Sequence, residues 1–147
     1  MSAFVRRSAA LLAGIWAGAL LCIGLNAAPA AFATLVTSDA GRFVGRLFAQ
    51  EAYLSLIFAA LLYVMTRRLA RAAAAQGRGS VVSAEVLLVL GALVCTVSGY
   101  FALQPLLEAA RAGQGSYSFA TLHGVSMALY ALKTLLVVSL AWRLTRA

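Results

Sequence analysis

Long apolar runs broken by short charged clusters set the rhythm of this chain. Four stretches carry no charged residue: 8–38, 52–66, 86–107 and 112–132. A helix needs roughly 20 apolar residues to cross about 30 Å of hydrocarbon, and the pattern supplies that about four times. The second stretch is short, so its helix is expected to extend back towards Phe43 and take Arg46 and Glu51 into its outer end. Spans are expected near residues 5–35, 40–75, 80–111 and 116–145, with no strand. Four spans in 147 residues leave room only for short loops. The expected fold is all-α, a polytopic membrane four-helix bundle forming one domain over residues 1–147.

Composition supports that class. Hydrophobic residues make up 63% of the chain and charged residues 11%, with a mean hydropathy of +0.93. Soluble domains run near about 25% charged, so this chain lacks the polar surface to face water all round. The N-terminal segment has the outline of a signal peptide, with Arg6 and Arg7 before an apolar run and small residues in "NAAPAAFA". The run is longer than a usual signal core, so it is expected to stay as a span.

Charge then suggests an orientation. Arg6, Arg7, Arg67, Arg68, Arg71, Arg78, Arg143 and Arg146 fall on one side of the four spans, against Arg42, Arg46 and Arg111 on the other. Short cytoplasmic loops collect Lys and Arg, so both termini are expected in the cytoplasm of a bacterial inner (plasma) membrane. The net charge of +8 is read as orientation and contact with anionic headgroups, not as nucleic-acid binding. The lipid bilayer is the expected partner, with a homo-oligomer or a larger membrane complex open beside it.

Two helix faces carry small residues. Ala10, Gly14, Gly18, Cys22, Asn26 and Ala30 recur at every fourth position of the first span, and Ala84, Gly91, Cys95, Ser98 and Ala102 line the third. Such rows let backbones approach closely, so Gly14, Gly18 and Gly91 are expected at helix–helix contacts. Cys22 and Cys95 share a depth and are read as small packing residues. Pro29 is expected to kink or end the first helix.

The stretch "TLHGVSMALYALKTLL" holds the only His of the chain and its only Lys. His123, Ser126, Tyr130 and Lys133 are spaced 3, 4 and 3, which puts them within about 80° of one another on a helix. A polar stripe of this kind belongs in the bundle interior. It serves there either as hydrogen-bond glue between helices or as the wall of a binding cleft or proton path. Counting depth at about 1.5 Å per residue puts His123, Asn26, Arg46, Gln50 and Glu51 in the outer third, with Gln104 beside Pro105 at the same end. Together with Ser126 and Tyr130 they form a candidate polar pocket open to the outside, in which Glu51 is expected to pair with Arg46 or His123. Glu85 and Lys133 fall in the inner half and are expected to form a second, buried pair.

Several short elements are also similar to a known group. "APAAFA" at 28–33, "GRLF" at 45–48, "LQP" at 103–105 and "FATLHGVS" at 119–126 resemble a family of small four-span proteins of unknown function. These are the bacterial relatives of transmembrane protein 205. The resemblance covers nearly the whole chain and implies a four-helix membrane bundle with Pro29, Phe32, Arg46, Gln104, Pro105 and His123 among its characteristic positions. It supplies no reaction.

No HExxH, phosphate-binding Gly-rich loop, GxSxG or pair of acids one turn apart is present, and no catalytic residue is expected. His123 and Met127 could hold copper or one side of a haem. One His cannot supply two axial imidazoles, so that role needs a second subunit or a Met or Cys ligand, and no cofactor is expected. Two functions remain in view: handling of a small solute or ion through the outward polar pocket, and service as a non-catalytic accessory or assembly subunit. A functional pocket should stay polar and hydrated. An accessory protein should show a filled interior and an outward small-residue face.

Overall fold

The computed structural model describes residues 2–146, and among them four helical rods and no strand are found. The first rod runs Ser2–Cys22, widens into a π-helical turn over Ile23–Ala27, and continues as Ala28–Thr34. The second is an unbroken helix, Thr37–Ala75. The third repeats the design of the first: Ala84–Thr96, a π-helical segment Val97–Ala102, then Leu103–Arg111. The fourth is a single helix, Phe119–Arg146. Each rod is long and apolar enough to cross a membrane. This is a multi-pass membrane four-helix bundle.

Pro29 does not end the first helix, which runs on to Thr34. Its missing N–H removes one helical bond, and the chain takes up the mismatch in the wide turn just before it. Pro105 stands in the same relation to the second wide turn. Membrane helices tolerate such prolines because local π geometry and neighbouring side chains satisfy the freed backbone groups.

The ends of the rods follow from local chemistry. The third helix starts at Ala84 and not near residue 80, because Ser83 is extended and its hydroxyl accepts a bond from the Val86 N–H at 3.4 Å. The second helix closes with Gly77 at φ +70°, the Gly77 N–H on the Ala74 carbonyl and the Arg78 N–H on the Ala73 carbonyl. A left-handed residue is required there, which glycine adopts without strain. Gly113 closes the third helix in the same way, with the Gln114 N–H on the Ala109 carbonyl.

Each rod packs on its neighbours in the chain, and the fourth closes the ring against the first. Trp16, Leu20, Leu62, Val89, Val137 and Leu140 fill the centre. Leu11, Ile15, Ile57, Leu61, Leu87, Val94, Leu132 and Leu135 stay exposed around the outside, the apolar belt a bilayer requires. Side-chain charge is distributed along the bundle. Eight arginines and Glu85 gather at the end holding the N-terminus. Arg42, Arg46 and Arg111 sit with Asp39 and Glu108 at the other, and Glu51 and Lys133 lie between.

Candidate functional site

The polar stripe of the fourth helix reaches all three other helices, one side chain to each. The Ser126 hydroxyl donates to the Gly99 carbonyl of the third helix at 3.2 Å. The Tyr130 hydroxyl donates to the Leu20 carbonyl of the first helix at 2.8 Å, just before its wide turn. The Lys133 ammonium donates to both carboxylate oxygens of Glu51 on the second, at 2.7 and 2.9 Å. Two glycines make room for this helix. A Cβ on Gly24 would lie 3.0 Å from Cε1 of Tyr130, and one on Gly99 would lie 3.3 Å from Cβ of Leu129.

Glu51 and Lys133 form the centre of the site. Both side chains are 4% exposed, and each lies roughly 20 Å from the start of its helix at about 1.5 Å per residue. The Ser55 hydroxyl, one turn below Glu51, also donates to Oε1 of Glu51. Ser55 in turn accepts the indole N–H of Trp16 at 2.9 Å. The Lys133 ammonium sits 5.1 Å from the centre of the Tyr130 ring, and the third helix brings buried Cys95 and Thr96 to this level. A charge alone in hydrocarbon costs several kcal/mol. Here the two charges cancel, and among the described residues no buried side-chain N or O lacks a partner.

This arrangement corrects several expectations. Lys133 does not pair with Glu85; the Glu85 carboxylate accepts from Nε of Arg143 at 2.9 Å near the basic end. Glu51 pairs with neither Arg46 nor His123. Its carboxylate is held instead by Lys133, near the middle of the fourth helix. The expected outward pocket is not assembled. Asn26, Arg46, Gln50 and His123 are exposed, and Gln104 bonds Glu108 along its own helix at 3.4 Å. Only Glu51, Ser126 and Tyr130 of that set join the interior network. His123 stacks on Phe119, ring centres 5.6 Å apart, with Arg111 over the Phe119 ring at 5.0 Å. Met127 shares the exposed side of the helix. Among the described residues no three His, Cys, Asp or Glu side chains gather as a metal site.

The glycine faces divide. Gly91 meets the fourth helix, where a Cβ would lie 3.1 Å from Cδ1 of Leu136. Gly14 and Gly18 are exposed, and a Cβ on either would meet nothing within 4 Å. They line an open groove of about 620 Å³ on the outside of the bundle, with Ala10 and Ala17 on one wall and Val138, Ala141 and Trp142 on the other. Periodicity identifies the row but not the direction it faces.

Sequence reasoning does not single out Trp16 and Ser55. Tryptophan in membrane helices favours the water interface, so one at mid-span, with a serine one turn from the acid of the next helix, is the signal that could have found them.

The family model described as Domain of unknown function (DUF4149) matches residues 11–116. The chain belongs to this family. The DUF4149 match takes in Trp16, Glu51, Ser55 and both wide turns, while the fourth helix with Lys133 lies beyond it. No curated protein and no solved structure matches the chain.

Proposed function

We propose that this DUF4149 protein is a non-catalytic membrane subunit that associates with another membrane helix through the outer face of its first helix. The observation that carries the reading is the bare Gly14 and Gly18 groove on a bundle whose polar interior is closed and fully bonded. Lipid tails are as apolar as leucine, so association in a bilayer depends on close packing and hydrogen bonds. A glycine-lined groove offers a second helix that close approach. Gly14→Leu is expected to fill the groove and abolish association while leaving the melting temperature of the isolated chain unchanged. Cross-linking in native membranes followed by mass measurement in mild detergent reads this out. A parent chain that is never cross-linked to anything ends the reading.

The protein sits, in this proposal, in a bacterial inner membrane with both termini in the cytoplasm. The eight arginines at one end support this through the bias of Lys and Arg towards cytoplasmic loops. Single cysteines at Gly77 and Gly113, introduced in a chain with Cys22 and Cys95 replaced, test it. A membrane-impermeant reagent should label position 113 and not position 77 in intact cells, and the reverse pattern overturns the orientation.

A second reading, small-solute or ion handling, is favoured by one observation, the Glu51–Lys133 pair buried between the apolar helices. Ionisable groups so placed commonly mark ion or proton routes. A folded Glu51→Gln/Lys133→Met double variant with unaltered proton and ion fluxes in reconstituted vesicles removes this reading.

A further inference from the structure

We propose that the groove at the basic end, between the start of the first helix and the close of the second, binds the phosphate headgroup of an anionic phospholipid. The groove has a volume of about 320 Å³, at the lower end of small-ligand sites. That is the scale of a glycerophosphate headgroup, not of a whole lipid. Arg6, Gln76 and Arg78 supply its polar lining, and Ala3, Leu69 and Ala72 its apolar wall.

The donors are held in place. Nε of Arg6 donates to the Leu144 carbonyl of the fourth helix at 3.3 Å, which ties down the guanidinium and leaves its two amino groups for a ligand. The turn at Gly77 brings Arg78 back over the end of its own helix, through the N–H bond to Ala73. There the Arg78 guanidinium donates to Oε1 of Gln76, leaving the Gln76 NH₂ as a further donor. Two guanidinium groups and an amide in one groove suit a phosphate, with its several acceptor oxygens.

No described side chain competes for that place. Glu85 is the only Asp or Glu at this end, and Arg143 holds it. Arg67, Arg68 and Arg71, on the last turns of the second helix, do not line the groove. The apolar wall decides between a lipid and a soluble phosphate. Leu69, Ala72 and Ala3 line the groove, so acyl chains can lie along the bundle while the headgroup enters. Basic pockets between membrane helices recognise anionic headgroups by this combination.

Delipidated protein in detergent, titrated with phosphatidylglycerol or phosphatidylcholine and followed by native mass spectrometry, tests the site. One phosphatidylglycerol should bind per chain in preference to phosphatidylcholine. Arg6→Gln and Arg78→Gln should each weaken it about fivefold, the loss of about 1 kcal/mol per basic group near a membrane surface. Arg71→Gln, outside the groove, should not. Equal weakening by Arg71→Gln means a diffuse field and overturns the site, as does equal binding of phosphatidylcholine. Displacement by millimolar inorganic phosphate would make free phosphate the ligand and overturn the lipid assignment. If Arg6→Gln lowers the melting temperature through loss of its bond to Leu144, Arg78→Gln alone decides the outcome.

Discussion

Replacing Lys133 with Met is expected to destabilise the bundle by about 3–5 kcal/mol, the usual consequence of leaving one charge of a buried pair without its partner. Glu51 would keep its bond from Ser55 but face the interior with its charge uncompensated. Glu51→Gln alone should cost a comparable amount by stranding the ammonium. The Glu51→Gln/Lys133→Met double variant should recover most of the loss, because no charge remains to be neutralised and the two side chains still fill the space. Unfolding by sodium dodecyl sulfate in mixed micelles measures all three. Strictly additive losses would remove the pair as a coupled unit. Glu85→Gln is the internal contrast. That carboxylate pairs with an Arg143 that is 52% exposed, so the change should cost no more than about 1 kcal/mol.

Trp16→Ala is expected to cost about 3–5 kcal/mol, the range for truncating a large buried aromatic. Trp16 is 1% exposed, stacks on Phe58 at 5.9 Å and donates to Ser55. Lipid cannot reach the vacated space, so contacts are lost on every side without replacement. Trp16→Phe separates the two contributions. It keeps most of the packing and removes only the N–H, so it should cost about 1 kcal/mol, typical of a hydrogen bond between membrane helices. The same micelle titration applies, and a Trp16→Phe loss equal to that of Trp16→Ala would mean that the hydrogen bond, not the packing, dominates.

The two results bear on how the bundle is specified. In a bilayer, apolar side chains gain little by leaving lipid for the protein interior, so the polar contacts choose the arrangement of helices. Ser126, Tyr130 and Lys133 do this from one helix by reaching the third, first and second in turn. A rotation of the fourth helix would break all three at once.

By itself the sequence determined the class, the number of spans, the imbalance of arginine between the two ends and the alignment of Ser126, Tyr130 and Lys133 on one helix. Each of these is a property of a single segment, set by its hydropathy or its 3.6-residue period. Only the tertiary structure decided that Lys133 meets Glu51 and not Glu85, that His123 stacks on Phe119 at the surface, and that Gly14 and Gly18 look outward. Periodicity gives angles around one helix axis but not how that axis is turned towards its neighbours. Hydropathy cannot supply the missing turn in a membrane protein, because the lipid-facing and core-facing sides are equally apolar. The depth of Glu51 was decided in the same way: contact with Lys133 near the middle of the fourth helix fixes it, and counting residues along one helix cannot, because the count has no fixed origin until two helices are packed together.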